Sequence, residues 1–354
     1  MRERATFAPQ AAHTRRAIGD CSGGTISARL ATVPMQAVDA SRHSATHHVF
    51  DRIVDRCRTL GRIPVAVAAP LSDVALLSVA SAYDEKLIEP ILVGPESALK
   101  RLAGKLGIDL SHWPIVEASD DSDAAAKAVA LCRSGRARML MKGSLHTDTL
   151  LHAVLQHDTG LRTARRLSHV FVLDAPLYPR PLLITDTGIN IYPKLEDKVD
   201  IVRNAIELAH ALGIDVPNVA ILSAVETVNP KITSTIDAAA LCKMADRKQI
   251  TGAVLDGPLA FDTAVSAEAA AIKNLTSRVA GVADVLVVPD LESGNMLAKQ
   301  LEYLGGAELA GVVLGGRVPI VLTSRADAVR ARLASCAVAV THARAQSAEG
   351  PLPA

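Results

Sequence analysis

The residue pair best suited to chemistry is Ser324-Arg325, which follows a short apolar segment near the C-terminal end of the chain. The apolar residues after this pair recur at a helical spacing, so the pair is predicted to lie where a strand ends and a helix begins. Free backbone N–H groups at a helix start attract anions, and an arginine adds a forked donor that matches phosphate. Ser324 and Arg325 are therefore candidates for binding an oxyanion. The same residues also fit a capping box, Ser324-x-x-Asp327, which stabilises a helix start without any ligand.

Polar residues and glycines also follow several predicted strands, or in one case begin a strand. Ligands of open parallel sheets bind beyond the carboxyl ends of the strands, so these turns are the next candidates. The predicted phosphate-binding or substrate-binding residues are Lys142, Gly143, His146, Thr147, Ser168, His169, Asp186, Asn190, Glu226, Asp256, Gly257, Pro258, Asn295 and Lys299.

Each of these candidates also has an explanation that needs no ligand. Lys142-Gly143 can bring a cation to a phosphate, or it can be a tight turn with a solvated lysine. His169 can orient a carbonyl group or move a proton, but a histidine in an apolar strand can equally be a core residue bonded to a backbone carbonyl. Asp186 and Asn190 favour turns for local reasons, and Glu226 fits a helix cap.

Composition and missing motifs exclude several classes of protein. Aromatic residues make up 3% of the chain and the formal net charge is +1, so neither base stacking nor a basic surface for nucleic acid is indicated. There is no G-x-G-x-x-G, P-loop or G-x-S-x-G motif, and no His, Cys and Asp cluster has the spacing of a metal site. The five cysteines form no C-x-x-C pair, which favours a reducing cytoplasm. No apolar run approaches the roughly 20 residues that span a membrane.

Strand and helix patterns alternate from residue 47 onward, which predicts an α/β fold with parallel strands and helices on both faces. The polar segment His157–Leu167 divides two such sets, and the last strand and helix are expected to return to the first set. The predicted domains are therefore 47–160 plus 311–346 and 161–310, with a flexible C-terminus at 347–354. Residues 1–46 lack periodicity and predict a mobile tail, with a transit peptide or a wrongly chosen start codon as alternatives.

From about Ile63 to Ala343 the chain resembles the phosphate acetyltransferase and phosphate butyryltransferase family. The resemblance rests on seven motifs that occur in the order found in the family. They are Lys142-Gly143 with His146-Thr147, Ser168–Phe171, Asp186–Pro193, Ser223–Glu226, Asp256–Asp262, Gly294-Asn295 with Lys299, and Ser324-Arg325. The Tyr192-Pro193 and Thr323–Asp327 details are closest to the butyryltransferase-like branch and to the phosphate acyltransferase part of enoyl-CoA hydratase fusions.

This resemblance implies reversible transfer of a short acyl group, acetyl or butyryl, between coenzyme A and inorganic phosphate, giving an acyl phosphate. It also implies two open-sheet α/β domains of the isocitrate/isopropylmalate-dehydrogenase type with a cleft between them, and a homo-oligomer, dimer or larger. Coenzyme A is then a substrate. The resemblance implies no required metal and no permanently bound cofactor, and no enzyme nucleophile is needed if the two substrates meet directly in attack geometry. Ser324 and Arg325 are implied to contact the phosphate and the reacting carbonyl group.

One position departs from the family pattern. The acetyltransferase branch has an aspartate about two helical turns after the serine, as the base for the thiol, and Ala331 stands there in this chain. Asp327 is the substitute candidate, although its charge would repel a bound phosphate. Two other functions stay open, a non-catalytic acyl-CoA-binding relative and a metal- and NAD-dependent decarboxylating dehydrogenase of the same fold. The missing aspartate cluster disfavours the dehydrogenase.

Overall fold

Strands and helices alternate along most of the computed structural model, which describes residues 48–323 and 327–349. In these residues the strands are β1 (Ile63–Ala68), β2 (Ile88–Val93), β3 (Ile115–Val116), β4 (Met139–Lys142), β5 (Ser168–Asp174), β6 (Leu182–Thr185), β7 (Asn218–Leu222), β8 (Val254–Leu259), β9 (Val285–Val287), β10 (Glu308–Leu314) and β11 (Ile320–Val321). The helices are α1 (Val49–Leu60), α2 (Asp73–Asp84), α3 (Glu96–Leu106), α4 (Asp121–Arg133), α5 (Thr147–Leu155), α6 (Leu195–Ala211), α7 (Thr233–Asp246), α8 (Phe261–Val265), α9 (Ala267–Ile272), α10 (Leu291–Tyr303) and α11 (Val329–Glu349).

The strands of the described residues form one mixed sheet in the order β3-β2-β1-β4-β11-β10-β5-β6-β9-β7-β8. Neighbouring strands are parallel from β3 to β11 and again from β6 to β8. In the centre, β10 runs antiparallel to both β11 and β5, and β5 runs antiparallel to β6. The predicted α/β class is confirmed, whereas the expectation that all strands are parallel is wrong for this central part.

The central strands differ because their connections differ. β5 and β6 are joined by residues 175–181, which contain no helix, so the chain turns back and pairs the two strands antiparallel. Strand β10 was not predicted from the sequence, although it pairs with β5 along its whole length. Helix α5 was also not predicted. The sequence pattern predicts one helix over residues 264–273, whereas the structure has two short helices there, α8 and α9.

Helix α11 begins later than the sequence predicts. Its first backbone hydrogen bond runs from the Arg332 N–H to the Ala328 carbonyl at 3.2 Å, so Asp327 precedes the helix. The predicted helix start at Ser324 and Arg325 lies outside the described residues. The sequence pattern predicts that this helix ends at residue 342, whereas in the structure it continues to Glu349.

Helix α11 is buried on all sides in its middle part. Five consecutive residues, Cys336–Val340, have no exposed surface, and the helix packs against α1, α2 and β10. Their small side chains allow this close approach, which fits a chain with 49% hydrophobic and 3% aromatic residues. Within the described ranges, no helix combines the length and the hydropathy needed to cross a lipid bilayer.

Candidate active site

A pocket of about 300 Å³ brings together predicted site residues from distant parts of the chain. It lies between α5, β5, the loop after β6, α10, β10 and the segments on both sides of residues 324–326. The predicted residues that line it are Thr147, His169, Asn295, Lys299 and Asp327. Other residues of its lining include Phe171, Thr187, Gly188, Glu302, Leu309, Gly311, Leu322, Thr323, Ala331 and Ser335. We call it the reaction pocket.

His169 is a buried polar group of the reaction pocket, with 5% of its surface exposed. Its Nδ1 lies 2.6 Å from the hydroxyl oxygen of Thr187, and its ring contacts Phe171 edge-on at 4.5 Å between centroids. Burial, with a smaller contribution from the positive charge of Lys299, lowers the pKa of His169 to about 4. The imidazole is therefore neutral at pH 7 and can act as a hydrogen-bonding group rather than a cation.

Gly311 makes room for this imidazole. A Cβ atom at position 311 would lie 2.8 Å from Nε2 of His169, which is closer than real side chains approach. The Gly311 N–H donates to the Ser335 hydroxyl at 2.9 Å, and that hydroxyl donates to the Ala331 carbonyl at 2.8 Å. The Ser335 hydroxyl thus connects strand β10 to the first turns of α11, next to His169. In the described residues, no hydrogen bond engages Nε2 of His169.

Asp186 organises the loop that supports His169. Its carboxylate accepts backbone N–H bonds from His169 at 3.1 Å, Gly188 at 2.9 Å, Ile189 at 3.0 Å and Asn190 at 3.1 Å. Burial raises the pKa of Asp186, and these hydrogen bonds oppose that rise. Asp186 does not line the reaction pocket. The structure therefore places it where it holds the backbone between β6 and α6.

Ser168 and Asn190 are likewise engaged with the protein. The Ser168 hydroxyl accepts a hydrogen bond from the Asn204 amide at 2.8 Å. The Asn190 amide donates to the Leu167 carbonyl at 2.8 Å, and its oxygen accepts from the Arg166 guanidinium at 2.6 Å. These contacts connect the segment before β5 to the loop after β6, so both residues help to position the strand that carries His169.

Helix α10 contributes one face to the reaction pocket. Asn295 and Lys299 are one turn apart, and the Asn295 amide donates to the Thr187 carbonyl at 3.4 Å. The Lys299 ammonium group lies 2.7 Å from a Glu302 carboxylate oxygen and 5.9 Å from the centre of the Phe171 ring. Lys299 is therefore a cation at the edge of the pocket, paired with Glu302.

The turn after β4 lies beside this pocket. Lys142 is buried and donates to the Leu145 carbonyl at 3.2 Å. Gly143 has no space for a side chain, because a Cβ would overlap the Ala69 carbonyl. His146 immediately precedes helix α5, and Thr147 is the first residue of that helix and lines the pocket. The close packing of Lys142 and Gly143 differs from a solvated turn.

Four predicted residues lie elsewhere. Glu226 accepts hydrogen bonds from Lys273 at 2.8 Å and Thr263 at 3.2 Å, and the hydrogen bond from Lys273 lowers the pKa of this glutamate. Asp256, Gly257 and Pro258 are part of β8, the last strand of the sheet, instead of a turn after it. None of the four lines the reaction pocket. Ser324 and Arg325 lie outside the described residues, and the described residues on either side of them, Thr323 and Asp327, do line it.

Thr187, Phe171, Glu302 and Ser335 line the pocket without having been proposed as site residues. For Thr187 and Glu302 a signal was present, because each stands within three positions of a proposed residue in the same loop or helix. Ser335 carried no such signal, since it lies inside the alanine-rich run of the last helix and its role depends on the unpredicted strand β10.

Comparisons of the sequence and of the structure with known proteins identify the same family. Residues 119–340 match the family model described as "Phosphate acetyl/butaryl transferase". A phosphate acetyltransferase of Rhizobium meliloti is 58% identical over 294 residues, which cover 83% of this chain and 93% of that protein. A phosphate butyryltransferase of Clostridium acetobutylicum is 42% identical over 290 residues, which cover 82% of this chain and 96% of that protein. The chain belongs to the phosphate acetyl/butyryltransferase family.

A solved structure supports this assignment. The crystal structure of a branched-chain phosphotransacylase from Enterococcus faecalis is similar with a TM-score of 0.71 and 34% sequence identity, and the likeness covers 79% of this chain and 99% of that one. The names of these three similar proteins refer to acetyl, butyryl and branched-chain acyl groups. Their names do not single out one acyl group for this chain.

Proposed function

We propose that this protein catalyses the reversible transfer of a short acyl group between coenzyme A and inorganic phosphate, giving an acyl phosphate. The observation that carries the proposal is membership of the phosphate acetyl/butyryltransferase family over most of the chain. Coenzyme A is a substrate in this proposal, and no cofactor is bound permanently. The reaction pocket supports it, because it combines a buried neutral imidazole, a cation at its edge and apolar walls formed by Phe171, Leu309 and Leu322.

In the proposed reaction the thiol of coenzyme A loses a proton and attacks the carbonyl carbon of the acyl phosphate, and the carbonyl oxygen becomes negatively charged in the tetrahedral intermediate. When this intermediate collapses, the bond between that carbon and the phosphate oxygen breaks, and inorganic phosphate leaves. His169 is proposed to donate an N–H from Nε2 to that oxygen, with Thr187 donating its hydroxyl hydrogen to Nδ1. A neutral donor fixed in a buried site stabilises a developing charge more strongly than a solvated one does. Lys299 and Asn295 are proposed to contact the phosphate group at the pocket edge. Thr147, which also lines the reaction pocket, keeps the substrate-binding role proposed from the sequence.

Ser324 and Arg325 are proposed to bind phosphate and the reacting carbonyl group, on the strength of their motif. Asp327 is proposed as the base that removes the thiol proton. It lines the same pocket, while Ala331 occupies the position of the aspartate found in the acetyltransferase branch. The reverse reaction needs the same groups with the proton transfers in the opposite sense.

The proposal includes several features implied by the family resemblance. The two α/β domains, 47–160 plus 311–346 and 161–310, are proposed to close on the substrates as in the isocitrate/isopropylmalate-dehydrogenase type of fold. The protein is proposed to act in the cytoplasm as a homo-oligomer, a dimer or larger. The scattered free cysteines, of which Cys57, Cys132 and Cys336 are buried, support the reducing compartment.

The test is a thiol-release assay with acetyl-, propionyl- and butyryl-CoA, each with and without phosphate. We expect thiol release to require phosphate for at least one of the three, with a preference set by pocket volume. One methylene group contributes only about 1–3 kcal/mol, so the rates for two acyl groups that differ by one methylene are expected to differ by roughly 10-fold to 200-fold. Binding of all three acyl-CoAs without any phosphate-dependent release would instead indicate a non-catalytic relative.

A further inference from the structure

A second pocket, of about 570 Å³, lies where α1, α6 and α11 meet. Its lining among the described residues contains four arginines against one acidic residue, Glu207, and we call it the arginine pocket. It shares no lining residue with the reaction pocket. The whole chain has a formal net charge of only +1, so this concentration of positive charge is a local feature.

Two of the arginines are fixed by neutral partners. Arg56 donates to the Ala211 carbonyl at 3.3 Å, and Arg344 donates to the carbonyls of Gly61 and Arg62, both at 2.9 Å. Neither guanidinium group forms an ion pair with a carboxylate of the described residues. A carbonyl oxygen holds a guanidinium group in place without cancelling its charge. The pocket therefore presents two pre-positioned positive charges.

The other two arginines are already neutralised. Arg165 pairs with Glu207, and Arg203 lies 3.4 Å from a carboxylate oxygen of Asp200 while also donating to the Gln249 carbonyl at 2.8 Å. These pairs leave no carboxylate of the pocket lining opposite Arg56 or Arg344. The surplus positive charge of the pocket thus belongs to those two residues.

His342 provides an independent observation. Only 2% of its surface is exposed, and it is part of the pocket lining. Among the described residues neither of its ring nitrogens has a hydrogen-bond partner, and the same holds for Nε of the neighbouring Arg344. Buried polar atoms in proteins are almost always hydrogen-bonded, so unpaired ones call for a missing partner. Burial, together with the charge of Arg165, lowers the pKa of His342 to about 4 and keeps the ring neutral.

We propose that the arginine pocket binds a small polyanion with at least two phosphate groups, at a site separate from acyl transfer. Arginine matches phosphate because its planar group donates two parallel hydrogen bonds, and two fixed arginines suit two phosphate groups. The volume exceeds what a single phosphate fills, and the neutral imidazole adds one donor or acceptor for the anion or for a water molecule bound with it. This site is independent of the function proposed above.

The probe for this site is inorganic pyrophosphate, titrated calorimetrically into the full-length protein in the presence of saturating coenzyme A. We expect binding at one site per chain that coenzyme A does not displace. Arg344→Gln and Arg56→Gln are each expected to weaken pyrophosphate binding at least tenfold, and Arg344→Lys is expected to weaken it less. The two glutamine variants remove different hydrogen bonds, so a folding defect in one leaves the other as a test.

Two control variants distinguish this site from other basic surfaces. Arg101→Gln removes an exposed arginine of α3, and Lys299→Ala alters the reaction pocket. Both are expected to bind pyrophosphate as the unmodified protein does. The proposal is overturned if pyrophosphate fails to bind, if coenzyme A displaces it, or if Arg344→Gln and Arg56→Gln keep full affinity. Loss of binding in Lys299→Ala with no loss in the two glutamine variants would place the anion in the reaction pocket instead, which also overturns it.

Discussion

The two pockets each contain a buried histidine, and the two histidines differ in one respect. Burial lowers the pKa of His169 and of His342 to about 4, with a nearby cation adding to the effect in both cases. His169 is oriented by Thr187 at 2.6 Å, whereas His342 has no hydrogen-bond partner among the described residues. Equal burial therefore gives equal protonation, but only one imidazole has its ring fixed by a neighbour.

The comparison separates the effect of burial on an imidazole from the effect of hydrogen bonding. A low-dielectric environment keeps an imidazole neutral, and a hydrogen bond to one nitrogen determines what the other nitrogen can offer. The charges around the two rings also differ. In the reaction pocket Lys299 lies beside Glu302, whereas in the arginine pocket Arg56 and Arg344 are held by carbonyl oxygens. The first arrangement suits a reacting carbonyl group and the second suits a stable anion.

The largest expected effect is that of His169→Ala. Removing an oxyanion donor from a preorganised site lowers kcat by about 10²-fold to 10³-fold, and we expect a loss of that size here. Steady-state kinetics of phosphate-dependent thiol release give the measurement. The matched control is His152→Ala, which removes an exposed histidine of α5 and should leave kcat unchanged. Equal activity of the two variants would mean that His169 is only a core residue.

Thr187→Val has a smaller expected effect. Valine preserves the shape of threonine but cannot hydrogen-bond to Nδ1, so His169 keeps its place and loses its orientation. We expect kcat to fall about tenfold, corresponding to one hydrogen bond of about 1.4 kcal/mol. Thr263→Val is the control, because Thr263 is also fully buried but bonds to Glu226 and lies outside the reaction pocket. If both variants lose the same activity, the hydrogen bond to His169 has no special role.

The smallest expected effect concerns stability and pH at His342. The pKa of His342 is about 4 in the fold, against an ordinary value of 6.5. At a pH between these two values the ring takes up a proton when the protein unfolds. Its burial therefore lowers stability as the pH falls from 6.5 towards 4. His342→Leu removes this contribution and also removes two unpaired polar atoms, and such a replacement is often neutral or stabilising. We expect the variant to be at least as stable as the unmodified protein at pH 7. It should also lose less free energy of unfolding between pH 7 and pH 5.

Urea unfolding at both pH values measures this difference. An equal loss of stability in the two proteins would show that His342 is protonated in the fold or accessible to water.

Most strands of the sheet could be predicted from the sequence, whereas the central strand β10 and the antiparallel pairings around it could not. The sequence pattern predicts a helix over 96–106 and strands over 88–93, 182–185 and 218–222. Helix α3 and strands β2, β6 and β7 have these bounds, because apolar periodicity and flanking turn residues determine them locally. Strand β10 escaped prediction because Gly311 interrupts an already short apolar run. The antiparallel pairing of β10 with β5 joins residues far apart in the chain, and no local pattern encodes it.

The candidate site could also be predicted only in part from the sequence. His169, Asn295 and Lys299 could be proposed because each occurs in a short motif, and the fold brings them to one pocket. Asp186 and Asn190 were proposed by the same reasoning, but their side chains bind the backbone and do not line the pocket. The direction in which a loop side chain points depends on packing between strands. The sequence therefore identified the loop but not which of its side chains face the pocket.

The most direct test of the central claim is to follow both products of one reaction mixture containing butyryl-CoA and phosphate. Phosphorus NMR detects the acyl phosphate while a thiol reagent measures free coenzyme A. We expect the two to appear in equal amounts with the unmodified protein, and both to be reduced at least 100-fold by a correctly folded His169→Ala variant. Release of coenzyme A without acyl phosphate, or full product formation by that variant, would contradict acyl transfer to phosphate in the reaction pocket.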